Sequence, residues 1–234
     1  MALVYAHRGG AALRPENTIA AFDHGLSLGA DGLEFDVHLS SDGVVVVHHD
    51  HTLERTTDGT GRLVDHTAAE LGRLSVPTLA DVLARYPDAA LIIEMKVNGI
   101  ELARRVVGEL RKARAIDRSA LGSFYSRPLA EARTLEPSLK TGASKPETRR
   151  ALYRSWIGWP VKSAVFQQFQ VPERSGMTPI VTPRFVRHAH EAGVLVKVWT
   201  VNDADDMRRL LDWGVDALIT DRPDIAVPIV LGRR

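Results

Sequence analysis

Four short stretches concentrate the residues that could do chemistry: Ala6-His7-Arg8-Gly9, Glu34-Phe35-Asp36, His49-Asp50 and Glu94-Met95-Lys96. Glu34 and Asp36 stand two apart, as do Glu94 and Lys96, so on an extended chain each pair leaves one face. If that face is a barrel interior, bare carboxylates there repel one another and are poorly solvated. A bound cation resolves both problems, and an oxygen-only set suits Mg²⁺ or Ca²⁺ better than zinc. Glu34 and Asp36 alone could instead face solvent at an irregular strand end. Glu94, following the apolar run Leu91-Ile92-Ile93, adds a third carboxylate that needs a partner. His7 and His49 border the same rim, and imidazoles near neutral pKa can take and return a proton. With Arg8 and Lys96 to neutralise an anion, this is an inventory for metal-assisted cleavage of a phosphate ester.

The other histidines read as structural. His24, His38, His51, His66, His188 and His190 fall in helices or loops, where solvent exposure is the simplest account. His48 adjoins His49, so an extended backbone turns it to the opposite face. No Gly-rich Walker loop ending in Lys-Ser/Thr is present.

Composition narrows the classes. The 30 basic and 29 acidic side chains leave a formal net charge of +1, which argues against a broad nucleic-acid footprint. A phosphate ligand must then be held by a few placed cations. There is no cysteine, so disulfides and thiolate metal ligands are excluded. No apolar run approaches the roughly 20 residues needed to cross a bilayer. The first strand candidate starts almost at Met1, leaving no room for a leader, so a cytoplasmic protein is expected.

The elements that must position these residues alternate. Strands are predicted at Leu3–Ala6, Gly32–Val37, Val44–His48, Ala90–Met95, Ala120–Phe124, Leu139–Gly142, Ala164–Gln168, Val194–Thr200 and Ala217–Thr220. Helical periodicity covers Thr18–Leu28, Thr78–Arg85, Gly99–Ala113, Arg127–Leu135, Pro146–Arg154, Thr182–Ala192 and Ala204–Trp213. With 234 residues and 44% hydrophobic side chains, this reads as one (β/α)₈ TIM-like barrel domain over 1–234. A doubly wound sheet is the alternative, but no Gly-x-Gly-x-x-Gly follows the first strand. The strand predictions exceed the barrel's eight by one. Irregularity is expected between the second and third strands, where Ser40-Ser41-Asp42-Gly43 is too short for a crossover helix. Pro15-Glu16-Asn17-Thr18 announces the first helix, while Gly29 and Gly193 mark helix ends. The stretch of about 51–77 has little apolar periodicity and is read as a short cap over the site.

The residues and motifs resemble the glycerophosphodiester phosphodiesterase family. The matching motifs are His7-Arg8-Gly9, Pro15-Glu16-Asn17-Thr18, Glu34-x-Asp36-Val37, Asp42-Gly43 with His49-Asp50, and Leu53-x-Arg55-Thr56-Thr57-x-Gly59-x-Gly61. Further on come Pro77-Thr78-Leu79, Glu94-x-Lys96, Ser123-Phe124, Trp199-Thr200-Val201-Asn202 and Thr220-Asp221-Arg222-Pro223. The match is weakest over Thr141–Thr182.

The resemblance implies a TIM-like barrel that hydrolyses small-molecule glycerophosphodiesters to glycerol 3-phosphate and an alcohol. It implies one divalent cation, Mg²⁺ or Ca²⁺, on Glu34, Asp36 and Glu94, and an acid–base pair of His7 and His49. Arg8 and Lys96 would neutralise the phosphate, with Phe124 and Trp199 lining the pocket. Barrel packing explains Trp199 and Phe124 as well, and a helix cap explains Asn17. Asp50 is expected to orient a turn or a neighbour. His49 is expected as base and His7 as acid, with water or the neighbouring glycerol hydroxyl as first nucleophile. Tyr153, Trp156 and Trp159 would either rim the pocket for a lipid-derived group or pack their helix on the barrel. Alternative readings are a same-fold enzyme acting on lysophospholipid or sphingomyelin-type lipids, a non-catalytic phosphodiester-binding barrel, and a sugar isomerase or aldolase barrel. No transmembrane segment and no nucleic-acid partner are expected, and the oligomeric state is open.

Overall fold

The computed structural model describes residues 2–159 and 163–233. In order it runs β1 (Leu3–His7), α1 (Ile19–Ser27), β2 (Gly32–Leu39), β3 (Val45–Val47), α2 (Ala68–Arg73), α3 (Leu79–Arg85), β4 (Ala90–Met95), α4 (Ile100–Lys112), β5 (Ser119–Gly122) and α5 (Ser126–Leu135). It continues with β6 (Lys140–Thr141), α6 (Lys145–Trp156), β7 (Gln168–Pro172), β8 (Arg174–Ser175), β9 (Thr178–Pro179), α7 (Pro183–Glu191), β10 (Leu195–Trp199), α8 (Ala204–Asp212), β11 (Ala217–Thr220) and α9 (Pro223–Leu231).

Eight strands pair side by side in the order β6-β5-β4-β2-β1-β11-β10-β7, every pair parallel. A parallel bridge from Gly142 to Gln168 joins the two ends, giving a nearly closed (β/α)₈ barrel. The period of two sorts each strand's side chains. Val4, Ala6, Leu33, Phe35, Val37, Ile93, Phe169, Val196, Val198 and Leu218 face outward into one large core with the helices. The other set turns inward: Tyr5 pairs with Gly32, His7 with Glu34, and Asp36 with Glu94. That stepped register lifts successive strands, as a tilted barrel requires.

The surplus strand is Val44–His48. It forms β3, antiparallel to β2 with Val37 opposite Val47, and adds a hairpin outside the ring. The turn at Ser40–Gly43 is held by the Ser40 hydroxyl, which donates to Asp42 Oδ1 at 2.6 Å. The strand expected at Ala164–Gln168 lies further along, at Gln168–Pro172, and Val165 is exposed. Its inward positions, Gln168 and Gln170, are polar, so the apolar run upstream misplaced it. The last helix, α9, was not foreseen because apolar residues surround it and Pro228 interrupts the pattern. Thr18, not Asn17, caps α1, accepting from the Ala21 amide at 3.2 Å. Gly29 and Gly193 adopt φ of +90° and +70° just past α1 and α7, as helix ends favour.

Residues 51–77 hold a 3₁₀ turn (Leu63–Asp65) and α2, packed on a small separate core of Val46, Leu53, Leu63, Leu71 and Val76. None of these residues is among those that line the central cavity. Among the described residues no helix is long and apolar enough to cross a membrane.

Candidate active site

The site is built at the C-terminal rim of the strands. Where β1 ends, Arg8 enters the left-handed region (φ 50°), and its amide donates to Glu34 O at 2.7 Å. Asn17 is also left-handed (φ 58°), and its amide donates to Arg8 O at 2.9 Å. Two non-glycine residues in that region cost about 1 kcal/mol or more each, and both turn a side chain toward Asp36. Asn17 Nδ2 donates to Asp36 Oδ2 at 3.1 Å, and Arg8 Nε lies 3.1 Å from the same oxygen.

Glu34, Asp36 and Glu94 each offer an oxygen, and the three oxygens lie within 4.8 Å of one another. Asp36 is 1% exposed and Glu34 5%. Burial, reinforced by Asp36 and Glu94, pushes the Glu34 carboxyl up to about 8, against the pull of His7. Burial and Asp36 likewise raise Glu94. Asp36 goes the other way. Burial would raise it, but Lys96, 3.3 Å away, and Arg8 hold it down. Lys96 also reaches Glu94 Oε1 at 3.1 Å, and its own pKa is raised because these carboxylates outweigh its burial. Acids this close, two of them held above the usual carboxylate range, form a donor set that fits a hard divalent cation.

Each of the two rim histidines is gripped at Nδ1 by a carboxylate. His7 Nδ1 donates to Asp221 Oδ1 at 2.6 Å, and His49 Nδ1 to Asp50 Oδ1 at 2.5 Å. Nε2 of each ring is therefore the nitrogen left for chemistry, His7 Nε2 standing 3.8 Å from Glu34. Burial opposes charging His7, but Glu34 and Asp221 outweigh it and the pKa rises. For His49 burial prevails over Asp36 and Asp50, and the pKa falls.

Both imidazoles open on a cavity of about 290 Å³ lined also by Arg8, Glu34, Glu94, Lys96, Phe124 and Trp199. Ile92, Gln170 and Ile219 also line it, while Asp36, 1% exposed, does not. The nine residues singled out in the sequence thus converge. Phe124 and Trp199 meet edge to face, ring centroids 6.1 Å apart, and both line the cavity.

Some positions differ from expectation. His38 is not a solvated loop residue. It is fully buried on β2, its Nε2 donates to His49 O at 3.1 Å, and burial takes its pKa to about 4. His48 turns away from the cavity, buried against Thr52 O at 3.0 Å. Tyr153, Trp156 and Trp159 neither line the cavity nor pack into the barrel; all three are exposed. The start of α6 borders the cavity, and Trp156 is its last residue, about 16 Å along the axis. Gly25-Leu26-Ser27-Leu28-Gly29 spells a Gly-x-Ser-x-Gly nucleophile pattern, but it runs through the end of α1 and the Ser27 hydroxyl donates to His24 O.

The residues overlooked are supports. Asp221 orients His7 and is itself held by Asn202 Nδ2 at 2.8 Å. Glu16 accepts from Arg8 at 3.0 Å and from Arg55 at 2.7 Å, while Arg55 Nε also donates to Asp50. Asn202, Asp221 and Arg55 each sit inside a motif quoted above, which was the available signal.

Fold and rim together define a barrel enzyme whose chemistry lies at the C-terminal ends of the strands. Residues 7–225 match the model of the glycerophosphoryl diester phosphodiesterase family, and the chain belongs to that family. It is 32% identical to a glycerophosphodiester phosphodiesterase of Caldanaerobacter subterraneus subsp. tengcongensis, over 97% of each chain. It is 31% identical to a glycerophosphodiester phosphodiesterase of Bacillus altitudinis, over 98% of each. A phosphodiesterase of Oleispira antarctica, solved in complex with the product sn-glycerol-3-phosphate, superposes with a TM-score of 0.80. The two share 26% identity over 97% of this chain and 96% of that one. The protein is a phosphodiesterase.

Proposed function

We propose that this enzyme hydrolyses glycerophosphodiesters to glycerol 3-phosphate and an alcohol, with His7 and His49 as the acid–base pair. The observation that carries this reading is the convergence of three carboxylates within 4.8 Å on a cavity that both imidazoles line. The activity named for the relatives, and the product bound in the Oleispira enzyme, support the substrate class.

Glu34, Asp36 and Glu94 would hold one divalent cation, Mg²⁺ or Ca²⁺. When bound it supplies Lewis-acid stabilisation of charge on the phosphoryl oxygens. Arg8 and Lys96 neutralise the same charge from the protein side as it grows on the equatorial oxygens. His49, the imidazole with the lowered pKa, takes the proton from the nucleophile, which is either water or the adjacent glycerol hydroxyl. In the second case the alcohol leaves a cyclic glycerol phosphate, which water then opens to glycerol 3-phosphate with the two histidines exchanging roles. The phosphorus–oxygen bond to the alcohol breaks, and His7, with the raised pKa, protonates the departing oxygen. Asp221 and Asp50 keep each Nδ1 occupied, so Nε2 faces the substrate. Phe124 and Trp199 grip the apolar edges of the diester and exclude water.

Action on lysophospholipids is less well supported, because the aromatic segment at Tyr153–Trp159 lies outside the cavity lining. The deciding experiment measures glycerol 3-phosphate release from purified protein on a panel of glycerophosphodiesters, before and after chelation and after Mg²⁺ or Ca²⁺ is restored. Release that is lost on chelation and recovered with either ion is expected. Full activity after exhaustive metal removal would overturn the carboxylate assignment, and faster release of headgroup from lysolipid would overturn the substrate.

A further inference from the structure

The buried Glu34, Ile92 and Ile219 line the closed end of the cavity, and exposed residues of α6 and the β8–β9 hairpin line its open end. At the open end stand Lys145 and Thr148, from the first turn of α6, and Ser175 from the hairpin. Lys145 and Ser175 are exposed. In a glycerophosphodiester the glycerol is constant and the head group varies in size. The closed end suits the first and the open end the second.

The charge at that open end is one-sided. Among the described residues, the only carboxylates lining the cavity are Glu34 and Glu94, both at the closed end. The acidic residues next to the open wall in sequence are turned away from it. Glu147 accepts from Arg133 at 2.8 Å and from the Ser144 amide at 2.7 Å. Glu173 accepts from Arg209 at 2.7 Å. Lys145 has no such partner among the ion pairs of the described residues, and it is exposed where it lines the cavity. The aromatic wall offers a cationic head group little in exchange, because the Lys96 ammonium already stands 5.9 Å from the Phe124 ring centroid.

We propose that Lys145, with Thr148 and Ser175, forms the head-group subsite and that it selects glycerophosphodiesters with anionic head groups over those with quaternary ammonium head groups. The inference rests on the hydrolytic reading given above and adds the class of alcohol. An exposed lysine acts as a screened point charge, so the selectivity weakens as ionic strength rises.

The test compares kcat/KM for glycerophosphoinositol 4-phosphate, glycerophosphoinositol and glycerophosphocholine at low salt, in the wild-type holoenzyme and in Lys145→Ala and Lys145→Glu. The wild type should prefer the phosphorylated inositol ester to the choline ester by about 10-fold or more, equivalent to about 1.4 kcal/mol. Lys145→Ala should flatten that ratio and Lys145→Glu should reverse it, with the preference in the wild type shrinking in high salt. A wild type that favours glycerophosphocholine, or a ratio unmoved in Lys145→Glu, overturns the subsite. No turnover of any of the three esters by folded, metal-loaded protein overturns the hydrolytic reading beneath it, so the two failures are distinct.

Discussion

A carboxylate on Nδ1 of each rim imidazole sets the direction in which His7 and His49 can exchange a proton. Removing either ring should therefore affect turnover and leave the barrel intact. His7→Ala and His49→Ala are expected to lower kcat by about 10²- to 10⁴-fold with an unchanged far-ultraviolet spectrum; near-normal kcat in either would contradict its role. Asn17 acts one step back, by fixing Asp36. Asn17→Ala should weaken Mg²⁺ or Ca²⁺ binding by about 10- to 100-fold in calorimetry, as loss of a group that orients a ligand does. Unaltered affinity would mean Asp36 needs no such support. The acids were legible because a spacing of two on a strand fixes a shared face regardless of the fold around it. Asp221 was not, since it meets His7 across 214 positions of sequence and only the pairing of β1 with β11 brings them together. His38 escaped for a different reason. A buried imidazole on a strand is betrayed by its neighbours in space, and His49 O and the His51 ring, 5.1 Å away, are such neighbours.

The β2–β3 hairpin and the segment that follows it work as one support for the second imidazole. Arg55 bridges Asp50 and Glu16, tying His49 on one side to Arg8 on the other. That segment is held by its own small core, so it can loosen without unfolding the barrel. Leu63→Ala, at a fully buried position, should destabilise it by about 2–5 kcal/mol. Amide exchange should then rise across 51–77 while the barrel strands stay protected, and kcat should fall as Asp50 loses its brace. Uniform exchange throughout the chain would show that the segment and the barrel melt together. The βα alternation was readable from apolar runs and helical spacing. The run Val44–Val47 resembled a barrel strand because a hairpin strand buried between β2 and the segment shows the same continuous apolarity. β7 was misplaced because two of its inward residues are glutamines.

Across the whole molecule, the barrel axis carries charge at both ends. Toward the end opposite the site, Lys197 lies inside the ring, its Nζ 3.2 Å from Tyr5 Oη and 4.5 Å from the centre of that ring. Burial lowers its pKa from 10.5 to about 8, with Lys140 adding to the effect. Below about pH 8 the amine is charged in both folded and unfolded chains, and its burial penalty is borne in full. Between about 8 and 10 the unfolded chain holds the extra proton, so this group's contribution to stability rises with pH. Lys197→Met is therefore expected to be more stable than the wild type at pH 7 by up to about 3 kcal/mol, an advantage that shrinks toward pH 10, as read from urea midpoints. A gap that does not change with pH would mean the amine is solvated. The seam between β1 and β11 has a larger implication. His7 is held by Asp221, a residue that the ribosome adds only after the final strand, so a nascent chain, or one cut before Asp221, lacks the partner that would orient the proposed general acid however well its early helices form. On the proposed roles, turnover during refolding should return only once β11 and Asp221 have docked beside β1.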